Sequence, residues 1–121
     1  MEIKTSDKFC IITPLSQNLS GIGVKKLLEE ILANRKFKIG LDMSYVNECD
    51  IDFIDMLTQI GNIGLFNVAS DVFALFSIMN IDKKVELFVS EMDFKADKHQ
   101  LLNRKFCIAI YPNRSAGNSI R

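Results

Sequence analysis

Four acidic residues lie within one short stretch of the sequence. The segment ECDIDFID contains Glu48, Asp50, Asp52 and Asp55, in a chain that holds 15 acidic and 15 basic residues overall. Carboxylates brought together in this way bind a divalent cation, transfer protons, or recognise a basic partner. The spacing of the four acids and the residues around them favour recognition of a partner.

Neither a metal site nor a catalytic pair is supported by the spacing. A calcium-binding loop needs a glycine turn among its ligands, and the acidic segment has none. General acid–base catalysis needs two carboxyl groups in a partly dry pocket, whereas we expect Asp52 and Asp55 at the convex start of a helix. The one histidine, His99, lies between Lys98 and Gln100, where we expect it to be solvated. We predict no catalytic residue, metal or cofactor; the alternative is a metal-dependent phosphohydrolase that uses the acidic segment.

The composition is typical of one soluble domain in a reducing compartment. The 121 residues are 48% hydrophobic, so we predict a single domain over residues 1–111 and a C-terminal tail at 112–121. Balanced charge gives no field that attracts nucleic acid, and the three cysteines lack metal-type spacing. The N-terminus has no signal-peptide core, and turn residues interrupt the apolar stretch from Met56 to Ile81. We therefore predict a cytoplasmic protein without membrane insertion.

Hydrophobic periodicity predicts strands that alternate with helices. The predicted strands are a hairpin that turns at Ser6-Asp7 and ends with Phe9–Thr13, then residues 37–43, 63–68, 84–89 and 105–111. The predicted helices lie within residues 20–37, 51–60, 70–79 and 90–104. This alternation predicts an α/β fold with a mixed, mostly parallel β-sheet and helices packed against it.

Each predicted helix has a start signal and an apolar face. Ser20, Asp50, Ser70 and Ser90 are the expected N-caps, and Asn80 is expected in the left-handed conformation that ends the third helix. The expected buried stripe of the first helix is Val24, Leu27, Leu28, Ile31 and Leu32. In the second helix we expect Asp52, Asp55 and Gln59 to form an exposed stripe opposite Phe53, Ile54, Leu57 and Ile60.

Three stretches of the chain, taken in order, resemble the STAS domain family of bacterial anti-sigma-factor antagonists. They are GLDMSYVNECD (Gly40 to Asp50), the helix that follows it, and NVASDVFALFSIMNIDKKVELF (Asn67 to Phe88), in which Asn80 stands where glycine is usual. The resemblance extends from Glu2 to about Leu102. It implies a STAS-like fold and a non-catalytic protein-interaction module of the partner-switching type, active in bacterial transcription regulation.

The resemblance also implies a phosphorylation switch that this chain lacks at the usual position. Family members typically carry a Ser or Thr, phosphorylated by an ATP-dependent partner kinase, directly after the Asp that corresponds to Asp50. Here that residue is Ile51, which has no hydroxyl, while Asp52 takes a second hydroxyl position and Phe53 replaces a glycine. Permanent charge on Asp52 and Asp55 would then mimic the phosphorylated form or select a basic partner.

The implied partner is an anti-sigma factor, a kinase-type ATPase or a related regulator. We expect this partner to bind the loop that precedes the second helix, the exposed side of that helix and the corner that precedes the third. The candidate residues are Ser44, Tyr45, Asn47, Glu48, Asp50, Ile51, Asp52, Asp55, Gln59 and Ser70. Within the same fold, the alternative is a STAS subunit of a membrane lipid-transport complex.

The third predicted helix has more apolar surface than one buried face requires. We expect Val72, Leu75, Phe76 and Met79 to be buried, which leaves Phe73, Ala74 and Ser77 as a second candidate interface, for a partner or for a homodimer. The alternative is that the C-terminal segment Phe106 to Tyr111 covers this helix.

Overall fold

A central β-sheet organises the chain, and the computed structural model describes residues 1–81 and 85–98. The described strands are β1 (Glu2–Ser6), β2 (Phe9–Thr13), β3 (Asn18–Leu19), β4 (Lys38–Asp42), β5 (Glu48–Cys49), β6 (Ile63–Phe66) and β7 (Glu86–Leu87). The described helices are α1 (Gly21–Ala33), α2 (Ile51–Ile60), α3 (Ser70–Ile78) and α4 (Glu91–Lys95).

Five of these strands form a mixed, mostly parallel sheet in the order β1-β2-β4-β6-β7. β1 is antiparallel to β2, whereas β2, β4, β6 and β7 run parallel to one another. Helices connect the parallel strands, as such connections require. The α/β fold predicted from the sequence is confirmed. A separate parallel pair of β3 and β5 was not predicted, because two-residue strands leave no periodic signal.

The central strands alternate their side chains between two buried faces of the sheet. One face packs against α1, α2 and α3, and the strand residues in that cluster are Cys10, Ile12, Ile39, Leu41, Ile63, Leu65 and Leu87. The opposite face carries a smaller cluster of Phe9, Ile11, Phe66, Phe88 and Phe94. Helix α4 supplies Phe94, so the sheet is covered on both sides.

Two glycines on neighbouring strands make room for Phe94. Gly40 of β4 and Gly64 of β6 are paired in register. A Cβ atom on Gly40 would lie 2.7 Å from Cε2 of Phe94, and one on Gly64 would lie 2.7 Å from its Cδ1 atom and 2.8 Å from Cε2 of Phe88. The ring of Phe94 therefore rests directly on the backbone of β4 and β6, which explains why neither position holds a larger residue.

The helix starts agree only in part with the predicted caps. Asp50 and Ser90 cap α2 and α4 through their side chains. Ser20 is at the N-cap position of α1 but its side chain makes no capping hydrogen bond. Ala69, not Ser70, is the N-cap residue of α3, and Ser70 is the first helical residue. The predicted cap at Ser70 is therefore wrong by one residue.

The orientation of α3 differs from the prediction. Phe73 is buried with 5% of its surface exposed, together with Val72 and Phe76, whereas Ile78 is 82% exposed. The exposed position expected for Phe73 is wrong. Because α3 is apolar on nearly all sides, its periodicity does not define which face turns inward, and the tertiary contacts of Phe73 decide. A smaller difference concerns Leu32 of α1, which was expected in the buried stripe and is half-exposed.

Some ends of the predicted strands and helices also differ from those in the structure. The predicted strand over 63–68 ends at Phe66, because Asn67 adopts a positive φ of 56°. Asn80 does have the predicted left-handed conformation, with φ 64°. Helix α4 ends at Lys95. The rest of the predicted fourth helix beyond Lys98, the last strand at 105–111 and the tail at 112–121 lie outside the described residues. Within the described part of the chain, no helix is both long enough and apolar enough to cross a membrane.

Gly64→Ala should destabilise the protein by about 1–3 kcal/mol, because its methyl group would collide with the rings of Phe88 and Phe94 in the smaller cluster. Urea denaturation measures this loss. The control is Gly23→Ala in α1, whose new Cβ would meet only Cδ1 of Leu19 at 3.7 Å and which should be neutral or stabilising by up to about 1 kcal/mol. Equal effects of the two substitutions would contradict the packing of Phe94.

Candidate functional site

The loop after β4 is fixed by a carboxylate at the end of that strand. Oδ1 of Asp42 accepts a hydrogen bond from the backbone N–H of Ser44 at 3.1 Å and another from Nδ2 of Asn67 at 3.1 Å. Met43 N–H donates to the carbonyl of Phe66 at 3.0 Å. The carboxyl ends of β4 and β6 are thereby joined, and the loop from residue 43 begins from a defined point.

Asp42 and Asn67 were not among the predicted site residues. A signal for them exists in the sequence, since each polar residue comes one position before the end of a predicted parallel strand and the carboxyl ends of parallel strands meet at one edge of the sheet. This signal was missed for Asn67 because the sequence pattern predicted that the strand continues through it to residue 68.

Two buried side chains anchor the loop, and the residues between and after them are exposed. Met43 and Val46 are fully buried, and the N–H of Val46 donates to the carbonyl of Met43 at 3.0 Å. Ser44, Tyr45 and Asn47 are exposed. The two buried residues anchor the loop to the core, so the three polar or aromatic side chains between and after them project from a fixed backbone.

The short pair of β3 and β5 holds the acidic segment in place. The carbonyl of Gln17 accepts hydrogen bonds from the N–H groups of Asn47 at 2.8 Å and Glu48 at 3.0 Å, and the N–H of Asp50 donates to the carbonyl of Leu19 at 3.2 Å. Leu19 precedes α1 and Asp50 precedes α2. The pair therefore sets the N-terminal ends of the two helices side by side.

The acidic residues at the start of α2 fall into two groups, one that caps the helix and one that is exposed on its surface. Oδ1 of Asp50 accepts from the backbone N–H of Phe53 at 3.2 Å, which is an N-cap. The side chains of Asp52, Asp55 and Gln59 are exposed, as the periodicity predicted. The buried residues of this helix are Phe53, Ile54, Met56 and Leu57.

Ile51 is the first residue of α2 and is 54% exposed. It follows the capping aspartate directly and lies beside Asp52, so an apolar side chain and a carboxylate are presented together at the start of the helix. Glu48 is also exposed, in β5. Of the four acids in the segment, only Asp50 therefore has a capping role.

Asp52 and Asp55 line an open groove between α1 and α2. The groove has a volume of about 520 Å³, and the convex surface expected at this helix end is therefore incorrect. Its apolar lining residues are Ile22, Val24, Leu28, Met56 and Ile60. No group of three or more His, Cys, Asp or Glu side chains in residues 1–81 and 85–98 is arranged to hold a metal ion. Carboxylates on an open wall remain hydrated, unlike an acid–base pair in a dry pocket.

The second candidate interface is only partly accessible. Ala74 and Ser77 are half-buried and Phe73 is buried, so Phe73 cannot contribute an exposed side chain. Phe73 instead lines a cavity of about 410 Å³ together with Asn67, Leu87 and Ser44. Ser70 is exposed at the first turn of α3, near the same corner of the sheet.

The described thiols are poor nucleophiles. Burial, followed by the neighbouring Asp50 carboxylate, raises the pKa of Cys49 to about 11. Burial and then the Glu30 carboxylate raise the pKa of Cys10. Both groups stay protonated at neutral pH, and the thiolate is the reactive form. Cys107 and His99 lie outside the described residues.

The amino-acid sequence matches no protein-family model, and no curated protein is significantly similar to it. Solved structures do share its fold. A Thermotoga maritima protein assigned to the anti-sigma factor antagonists superposes with a TM-score of 0.71 at 18% identity, over 79% of this chain and 92% of that one. The unphosphorylated anti-sigma factor antagonist SpoIIAA gives a TM-score of 0.54 at 10% identity, over 80% and 94% of the two chains.

The same fold also occurs within a much larger protein. The murine anion transporter Slc26a9, in its inward-facing state, matches with a TM-score of 0.61 at 20% identity over 74% of this chain. The match spans 17% of the transporter. These structural matches confirm that the chain has the fold of a STAS domain.

Asp50→Ala should destabilise the protein by about 1 kcal/mol, since the N–H of Phe53 would lose its capping acceptor. Asp50→Asn should retain most of the stability, because asparagine caps about as well as aspartate. The matched variant Asp55→Ala removes an exposed acid without a cap and should change the free energy of unfolding by less than about 0.5 kcal/mol. Thermal or urea unfolding measures the stability of all three variants. An unchanged free energy of unfolding in Asp50→Ala would show that this aspartate does not stabilise α2.

Proposed function

We propose that the chain is a non-catalytic protein-interaction module of the partner-switching type, comparable to an anti-sigma factor antagonist. Its partner would be a kinase-type ATPase or a related regulator. The support is a fold shared with anti-sigma factor antagonists over most of both chains. The binding surface would be the loop from Ser44 to Asp52 and the exposed side of α2, with Ser70 at the adjoining corner.

The position of Ile51 is the main observation behind this proposal. The family resemblance places a phosphorylatable hydroxyl directly after the residue that corresponds to Asp50, and Asp50 is the N-cap of α2. Ile51 is exposed at that position and offers an apolar contact in place of a hydroxyl. A partner that binds here meets one apolar side chain and the fixed charges of Asp52 and Asp55. Binding would therefore not be switched off by phosphorylation of residue 51.

The two alternative functions have less support. The lipid-transport alternative relied on an apolar surface of α3, and the burial of Phe73 removes the largest side chain from that surface. The phosphohydrolase alternative relied on the acidic segment, whose Asp50 is used as a cap while Asp52 and Asp55 lie on an open groove wall. Neither arrangement favours those functions over partner recognition.

Immobilised protein should retain an ATPase-type regulator from a native lysate of the source cells, as identified by mass spectrometry. Asp52→Lys should abolish this retention, because the variant reverses charge at the centre of the proposed surface. The control is Glu2→Lys, which makes the same reversal on an exposed residue of β1 at the far edge of the sheet and should retain the regulator. Equal retention by both variants would contradict the proposed surface.

The same preparation tests the role of residue 51. With ATP and the retained regulator, Ile51→Ser should become phosphorylated at position 51, while the unaltered chain should take up no phosphate on the surface from 44 to 52. Phosphopeptide mapping distinguishes the two. Stoichiometric phosphate on Ser44 of the unaltered chain would show that the switch persists at another residue and would refute constitutive binding.

A further inference from the structure

The groove between α1 and α2 has an apolar base and an unbalanced charge distribution. On α1 it is lined by Ile22, Lys25 and Leu28, which recur at intervals of three residues, and on α2 by Asp52, Asp55, Met56, Gln59 and Ile60. Ile22 is 75% exposed. Both rows follow helical spacing, so each helix turns one continuous stripe toward the groove.

The acids of this groove make no ion pair within the part of the chain that the structure describes. The ion pairs among the described residues involve Lys4, Lys38, Lys95, Glu91 and Asp97, and none of them includes Asp52, Asp55 or Lys25. Lys25 lines the same groove without pairing to either carboxylate. The wall formed by α2 therefore presents two carboxylates beside an apolar base, opposite the single cation Lys25 on the α1 wall.

We propose that this groove binds an amphipathic helix of the partner protein, with the apolar stripe of that helix against Ile22, Leu28 and Met56 and its Lys or Arg residues against Asp52 and Asp55. This inference rests on the proposed function and specifies the partner's chemistry. It also extends the binding surface from the loop and α2 to α1.

The dimensions of the groove suit a helix of about two turns. Residues 22 to 28 of α1 and 52 to 60 of α2 each extend about 9–12 Å along their axes, at 1.5 Å per residue. An amphipathic helix that lies in a groove uses apolar anchors at i, i+3 or i+4, and i+7 over about this distance. A second copy of this chain fits less well, because like acids would meet across a symmetric contact.

The proposal can be tested on the full chain with a synthetic amphipathic peptide of about 14 residues that has a leucine stripe flanked by lysines. NMR spectra should show saturable shifts of the Met56 and Leu28 methyl groups. A second peptide with glutamate in place of every lysine should bind at least about tenfold more weakly, since it would repel the acidic wall. Equal binding of both peptides, or no binding of the lysine peptide, would overturn the proposal.

Matched variants distinguish binding in the groove from non-specific electrostatic attraction of the peptide. Asp55→Asn should weaken binding of the lysine peptide about two- to fivefold, which is the range for one exposed ion pair, and Lys25→Glu should strengthen it by a similar factor. Lys26→Glu makes the same change one residue along α1, at an exposed residue that does not line the groove, and should have less effect. Similar responses to Lys25→Glu and Lys26→Glu would indicate non-specific attraction and contradict a groove site.

Other occupants of the groove would also be detected. If sedimentation shows a dimer that Ile22→Glu dissociates, the occupant is a second copy of the chain. If Ile22→Glu shifts amide signals of residues 99–121 in the free protein, the occupant is the chain's own C-terminal segment. Either outcome overturns the proposed partner helix.

Failure of this inference can be distinguished from failure of the proposed function. Tyr45→Ala alters the exposed loop alone, whereas Ile22→Glu alters the groove alone. If the lysate regulator is lost with Tyr45→Ala but retained with Ile22→Glu, the proposed function stands and the groove is not used. If the regulator is lost with Ile22→Glu but retained with Tyr45→Ala, the groove is used and the loop surface is the part that is wrong.

Discussion

The candidate surface depends on how the carboxyl ends of β4 and β6 are joined. Strand β4 pairs in parallel with β6, and Asp42 then binds both Ser44 and Asn67 through one carboxylate oxygen. This contact determines where the loop leaves the sheet. The pairing of β3 with β5 then carries the chain to the start of α2. Recognition by a rigid surface requires such fixed connections, because a mobile loop would lose conformational entropy on binding.

The acidic segment illustrates how one cluster of charges serves separate purposes. Asp50 stabilises the helix by capping it, whereas Asp52 and Asp55 face a groove and make no ion pair with the described residues. Asp52 gains a modest stabilisation from the helix dipole, of about 0.3–1 kcal/mol, and Asp55 lies beyond the first turn, where that effect has fallen off. Stability therefore accounts for the first acids of α2 but not for Asp55, which favours a role in recognition.

The sequence predicted the elements whose local signals were strong. The hairpin of β1 and β2, the cap at Asp50 and the exposed stripe of α2 each follow from a turn, a capping side chain or a periodic pattern. The orientation of α3 could not be predicted, because a helix that is apolar on nearly every side fits several packings and long-range contacts select one. The groove could not be predicted either, since it arises from the spacing between α1 and α2, which depends on a two-residue strand pair.

The central claim is that a rigid surface formed by the loop after β4 and by α2 binds a protein partner. The most direct test is hydrogen–deuterium exchange of the full chain, free and in complex with the regulator that it retains from lysate. The account predicts slower exchange upon binding in residues 43–60 and unchanged exchange in β1. Protection confined to β1 or to α4, with residues 43–60 unaffected, would contradict it.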